Sequence, residues 1–216
     1  DRLASETDRT VWEQVIGSLG FLRELIDVPA DRAVFERYAA AVLEKPFGKA
    51  GWDATPGEDA DIPMLRRSLI DALGRVGDEK VVREAQSRFS ARTARSIDPS
   101  IRPAVLNVVG RHADPAAFDA LLSMMRTATD VESKWQAQSA LRSVADARLQ
   151  HRWMELLLGD ELPPGEAVWN LNRVSNESDN HELAWQFVRA NLAAVYAKSS
   201  PRGRVHVLPD TATPFS

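Results

Sequence analysis

The sequence has 216 residues, is 44% hydrophobic and carries a formal net charge of −4 with an isoelectric point near 5.6. A chain of this length removes roughly 70% of its unfolded surface from water, so it has a real core, and its acidic balance argues against a nucleic-acid partner, which needs a basic face. It has no cysteine, which excludes a disulfide framework and thiolate chemistry, and no apolar run approaches the ~20 residues of a membrane-spanning segment.

Residues 8 to 26 are predicted as the first helix. Val11, Trp12, Val15, Ile16, Leu19, Leu22 and Ile26 make a broad apolar stripe at helical spacing. Thr7 or Asp8 caps it, and Pro29 stops it. Residues 31 to 44 are the second helix, with Val34, Phe35, Tyr38, Val42 and Leu43 inward and Pro46 at its end. Residues 46 to 62 are the one long irregular segment. Gly48, Gly51, Pro56 and Gly57 punctuate it, and Asp53, Glu58, Asp59 and Asp61 load it with negative charge. Trp52 lies within it and is expected to fold back onto the helices beneath.

The next stretch, 63 to 126, is one helix pair written twice. Shifted by 36 residues (99 minus 63), Pro63 lands on Pro99, Leu65 on Ile101, Arg66 on Arg102, Leu69 on Val105 and Ile70 on Leu106. Leu73 then meets Val109, Gly74 meets Gly110, Arg75 meets Arg111 and Asp78 meets Asp114. The second helices continue the match, Val82 with Phe118, Ala85 with Leu121 and Phe89 with Met125. A gap-free period of this length marks a helical repeat array of the HEAT and armadillo kind. Gly77 suits a left-handed C-cap and Asp78 an N-cap. Asp98-Pro99 and Asp114-Pro115 each read as an N-cap with proline at the first helical position.

A degraded third copy follows. Thr129-Asp130-Val131-Glu132 reads as a capping box with Thr129 at the cap. Asp146 opens the next helix, where Trp153, Met154 and Leu157 take the places of Leu121, Leu122 and Met125 at a spacing of 32 (153 minus 121). A short helix is predicted from Glu166 to about Val174, and a last one from His181 to about Lys198. Trp12, Trp135, Trp153, Trp169 and Trp185 lie on apolar faces or seams and are expected to be buried. Residues 199 to 216 hold three prolines and no periodicity, and are expected to form an extended or disordered tail, or the start of a further helix. No segment alternates with strand period. The fold class is therefore all-α, a HEAT/armadillo-like array of antiparallel helix pairs (an α-solenoid of about ten helices) spanning residues 1–198, with the tail at 199–216.

No catalytic constellation assembles from these residues. His181-Glu182-Leu183-Ala184-Trp185 begins like a zinc-peptidase helix, but two metal ligands must share a face at i and i+4, and the fourth step is Trp185. The remaining histidines, His112, His151 and His206, stand singly. The repeat-equivalent arginines Arg66, Arg75, Arg102 and Arg111 are the candidates for a weakly basic face.

Four stretches carry a resemblance. Leu183-Ala184-Trp185-Gln186-Phe187-Val188-Arg189-Ala190-Asn191 resembles a segment near the end of the aminopeptidase N-like (gluzincin) zinc metallopeptidases, the group of the puromycin-sensitive and endoplasmic-reticulum aminopeptidases. Glu6 through Trp12, Leu65-Arg66 through Gly77-Asp78, and Asp98 through Arg102 with Phe118-Asp119 resemble the same C-terminal domain, in the same order. The resemblance covers about residues 1 to 198. It implies a HEAT-like bowl that closes over a catalytic domain of the same parent chain and shapes the chamber where a peptide substrate's tail lies. It also implies that the zinc and its ligands belong to that upstream domain, so no catalytic or metal-binding residue and no cofactor are expected in this stretch. Arg66, Arg75, Arg102 and Arg111 are then the candidates to face the substrate, the plainer reading of the repeated arginines being solvated or interhelical salt bridges. Between Leu162 and Glu166, where the resemblance places a basic contact to the peptide terminus, the sequence has no Arg or Lys. The chain opens on Asp1 without a methionine and is expected to be an excised piece. The alternative reading is a free-standing HEAT-like adaptor that binds a protein partner.

Overall fold

The computed structural model describes residues 6, 8–93, 96–177 and 179–212. They contain twelve α-helices and no strand among the described residues. Contacts divide the chain into two units, Asp1–Val109 and Gly110–Ser216.

In the first unit, α1 (Arg9–Glu24) starts where Asp8 accepts hydrogen bonds from the amides of Thr10 and Val11. The second helix, α2 (Pro29–Ala50), opens on a proline and runs through Pro46 instead of ending there. Pro46 lacks an amide donor, but it is buried on the line of Ala39, Leu43 and Ala50. Packing of that line against α3 (Ile62–Arg75) offsets the missing bond. α3 ends as the glycine predicts. Gly77 has φ +74°, its amide bonds the Gly74 carbonyl, and the Asp78 amide bonds the Leu73 carbonyl, which together form a Schellman cap. The Asp78 carboxylate then accepts from the Val81 amide and starts α4 (Glu79–Ser90). α5 (Arg102–Arg111) begins after Pro99, where Asp98 instead closes a turn on the amide and hydroxyl of Ser100. Pro103 takes the first-turn position that Pro99 was expected to hold.

The 36-residue period persists in burial. Leu65 and Ile101, Leu69 and Val105, Ile70 and Leu106, Leu73 and Val109, Ala85 and Leu121, and Phe89 and Met125 are all buried. Gly74 and Gly110 explain why this period carries a glycine. A methyl group on Gly74 would lie 2.2 Å from a Val108 methyl, and one on Gly110 would lie 2.0 Å from the Ala140 carbonyl oxygen. Gly74 lets α5 approach α3 closely, and Gly110 does the same for the helix that carries Ala140.

The second unit holds α6 (Pro115–Thr127), α7 (Val131–Arg142), α8 (Ala147–Leu158), α9 (Pro164–Glu177), α10 (His181–Ala190), α11 (Leu192–Lys198) and α12 (Arg204–Ala212). Asp114 and Asp146 cap α6 and α8 as expected. Asp130 rather than Thr129 caps α7, through the Ser133 amide. The last predicted helix breaks at Asn191, whose side-chain amide donates to the Phe187 carbonyl and competes with the helical ladder. Residues 204–212, within the stretch expected to be an extended or disordered tail or the start of a helix, form α12. A nine-residue helix is marginal alone. It is held because Val207 and Thr211 are buried one turn apart against α9 and α10. Residues 213–216 of the expected tail lie outside the described residues.

The tryptophans divide. Trp12 and Trp153 are buried, Trp169 and Trp185 are half-buried, and Trp135 is 42% exposed. α7 turns Ala137, Ala140 and Leu141 inward, and Trp135 falls off that line. Replacing Trp185 with alanine is therefore expected to cost about 1–2 kcal/mol, part of the value for a fully buried large side chain. Urea unfolding checks this, and a loss near that of a core tryptophan places the ring inside.

Candidate functional site

The four repeat-equivalent arginines have four different environments. Arg66 is 1% exposed; its Nε donates to the Ala50 carbonyl at 3.0 Å and its two Nη atoms to the Glu58 carboxylate at 3.1 and 2.5 Å. Arg111 is buried and pairs with Asp179 at 2.6 Å. Arg102 is half-buried and reaches the Ile97 carbonyl at 3.4 Å. Arg75 meets Glu24 at 3.8 Å with 36% of its side chain exposed. It stands at the rim of a groove of about 390 Å³ lined by Ile16, Leu19, Leu43, Ala72 and Val76.

The acidic loop after α2 is tied down by arginines from three helices. Arg9 of α1 holds Asp61 at 2.9 Å, Arg66 of α3 holds Glu58, and Arg88 of α4 grips both oxygens of Asp53 at 2.8 and 3.0 Å. Hydrogen bonding to Arg66 lowers the Glu58 carboxyl from an ordinary 4.5 to about 2. The Asp53 carboxylate correspondingly raises the Arg88 guanidinium above its usual range. Trp52 folds back as expected, edge-on to Phe47 at 5.6 Å and with the Arg88 guanidinium 5.0 Å from its ring centre. The loop's charge is a structural clamp that sequence reasoning missed. Four acids in a glycine-rich segment were the available signal.

In the second unit, α7 and α9 share a polar seam. Gln138 donates to Glu166 at 2.5 Å, Asn170 donates to Gln138 at 3.1 Å and to the Glu166 carbonyl at 2.9 Å, and Arg142 donates to Asn170 at 2.9 Å. Lys134 closes the row on Glu166 at 3.2 Å. Gln138 and Asn170 are fully buried, so these bonds fix the register of the two helices. Trp135 stacks edge-to-face on Trp169 at 4.8 Å beside the seam, and the guanidinium groups of Arg142 and Arg173 lie 4.9 and 4.7 Å from the Trp169 ring. Just before Leu162, Glu161 is held by Arg126 at 2.6 and 2.7 Å, which lowers its carboxyl. Basic groups thus reach this stretch from α6 and α7, already engaged with its acids.

Zinc does not fit the residues described. Trp185 occupies the i+4 position from His181, and among the described residues no group of three or more His, Cys, Asp or Glu side chains could hold a metal ion. No described helix is long and apolar enough to cross a membrane.

A chain whose described residues are all helical and which is built on a 36-residue repeat belongs in class with the α-solenoid-like helical-repeat proteins. Its family is narrower: residues 2–215 match the ERAP1-like C-terminal domain, and the chain belongs to that family. It is similar to Aminopeptidase M1 of Arabidopsis thaliana, 28% identical over 161 residues that cover 71% of this chain and 18% of the relative. Aminopeptidase M1-A of Oryza sativa subsp. japonica is 25% identical over 194 residues, 85% of this chain and 22% of the relative. The Puromycin-sensitive aminopeptidase of Caenorhabditis elegans is 25% identical over 152 residues, 68% of this chain and 16% of the relative. The chain therefore spans about a fifth of the length of the curated relatives it matches.

Proposed function

We infer that this chain is the C-terminal domain of a longer zinc aminopeptidase, an enzyme that removes N-terminal residues from peptides, and that it forms a wall of the active-site chamber without supplying catalytic residues. The observation that carries this reading is the family match across residues 2–215. The named relatives, all aminopeptidases, support it. Zinc and the chemistry it supplies belong to a separate catalytic domain, since the residues described here do not suit the metal. The partners are then that catalytic domain and the peptide's tail.

Stacked helix pairs present an extended surface to a ligand. Arg75 and Arg102 keep part of their side chains accessible, which supports them as the candidates to meet a peptide carboxylate. Arg66 and Arg111 are engaged in holding the fold. The test compares the longer enzyme with a version ending before Asp1, first confirmed to be folded, on a single-residue amide and on peptides of rising length. The expected outcome is an unchanged rate on the small amide and an altered length preference. Identical length profiles sink the chamber-wall role and leave only a stabilising one.

A further inference from the structure

The acidic segment after α2 is fastened unevenly along its length. No residue from Gly51 to Asp61 is fully buried, and its one large apolar side chain, Trp52, is half-buried against Phe47. Segments with so few buried apolar contacts are the first to open locally. Its far side is firm: Glu58 sits on the buried Arg66, and Thr55 bonds the same carboxylate through its amide and hydroxyl at 3.2 and 3.3 Å. Its near side is held to α4 through Arg88, which grips both oxygens of Asp53 at 2.8 and 3.0 Å and places its guanidinium carbon 5.0 Å from the centre of the Trp52 ring. Arg88 has a second carboxylate, Glu84, one turn back on its own helix at 2.7 Å. When Asp53 leaves, Arg88 therefore keeps a counter-ion, and Asp53, whose side chain is 64% exposed, passes into water that it already meets. Gly51 and Gly57 bound the stretch at φ +64° and +78°, a region that glycine enters and leaves freely. Trp52 borders a groove of about 310 Å³ lined by Phe47, Leu73 and Val81, with the Lys80–Glu44 pair beside them.

We propose that residues 52–56 are a lid on this groove, hinged at Gly51 and Gly57 and latched by Arg88, which keeps Glu84 as its partner when the lid lifts. Glu58 stays on Arg66 and holds the rest of the segment in place. Lifting takes the Trp52 ring off Phe47 and opens the groove over Leu73 and Val81, two side chains that the closed lid leaves buried. Salt favours the open lid, because the bond given up is an exposed ion pair and the one retained is shared by both states. A segment held by the packing of Trp52 alone responds in the other direction or not at all, since salt does not weaken apolar contacts. The device belongs to the chain itself and stands whether or not the chain serves an aminopeptidase.

Fluorine NMR of the full chain labelled with 5-fluorotryptophan tests the lid, with the Trp52 signal identified by its loss in Trp52→Phe. Raising NaCl from about 0.05 to about 1 M is expected to move that signal towards its position in urea, with an open fraction about fivefold higher, the ceiling for one exposed pair. The signal of the buried Trp12 stays in place. Asp53→Asn should open the lid at low salt and remove the salt response. Glu84→Gln should do the opposite and close it, because it takes away the carboxylate on which Arg88 rests in the open state. A pair that only braces α4 loosens the segment in both variants, so loosening by Glu84→Gln overturns the proposal. A Trp52 signal that ignores salt also overturns it and assigns the hold to Phe47. So does a Trp52 signal that moves only together with that of Trp12, which means that the segment opens only when its whole unit does.

Discussion

Replacing Gly110 with alanine is expected to destabilise the second unit by about 3 kcal/mol, at the upper end of overpacking effects. Two terms oppose each other. Alanine is the better helix former by about 1 kcal/mol and also restricts the unfolded chain. Against that, its methyl would sit 2.0 Å from the Ala140 carbonyl oxygen, 2.6 Å from the Ala140 carbonyl carbon and 2.8 Å from the Ser143 hydroxyl. Backbone atoms of a helix cannot rotate away, so the chain at Gly110 and α7 must separate, which disturbs a helix whose Ala137, Ala140 and Leu141 are fully buried. The separation also strains the bond from the Ala145 amide to the Arg111 carbonyl. Gly20→Ala is the control. Nothing lies within 4 Å of a methyl at Gly20 inside α1, so only the propensity gain remains and stability should rise by up to about 1 kcal/mol. Urea midpoints of the two variants should move in opposite directions. Movement in the same direction means that the glycine is not there for helix approach. Gly74→Ala should fall between them, because its obstacle is a Val108 side chain and not backbone.

The repeat was legible because a helical face repeats its apolar spacing whatever its neighbours are, and because glycine and aspartate mark helix ends through local chemistry. Asp8, Asp78, Asp114 and Asp146 all cap the helices they were expected to cap. What failed to show locally was decided by tertiary packing. Pro46 reads as a stop, yet its buried ring continues the core line of α2. The segment that became α12 has no strong local signal and forms because Val207 and Thr211 find α9 and α10. Trp135 reads as core but lies beside the inward line of α7. The candidate site was legible only as residue types. Arg66 and Arg102 occupy equivalent positions one repeat apart, yet one closes on the Glu58 carboxylate, 8 residues before it, and the other reaches the Ile97 carbonyl, 5 residues before it. Such pairings depend on loops, which the period does not constrain.

Arg66→Ala is expected to cost about 2–4 kcal/mol, below the upper range for a pair buried on both sides because Glu58 is only part-buried. Three losses coincide. The Ala50 carbonyl, among the unsatisfied acceptors at the end of α2, loses its donor. Glu58 loses both charge-assisted bonds and the anchor that ties the acidic loop to α3. The space of a fully buried arginine is left open beneath the loop. Arg66→Met restores most of the volume without the charge, so it should recover part of the loss and separate packing from pairing. The pH dependence supplies the sign. Glu58 is held at about 2 in the folded chain against an ordinary 4.5, so the unfolded chain takes up the proton first as pH falls. The contribution of the pair is therefore complete above 4.5 and is lost progressively as pH falls from there towards 2. In Arg66→Met the Glu58 carboxyl should return towards its ordinary range, and the acid limb of stability should flatten in that window. Urea unfolding from pH 7 down to the acid limit reads both effects. A variant whose stability falls in parallel with the parent across that window shows that the Arg66–Glu58 pair is not what fastens the loop.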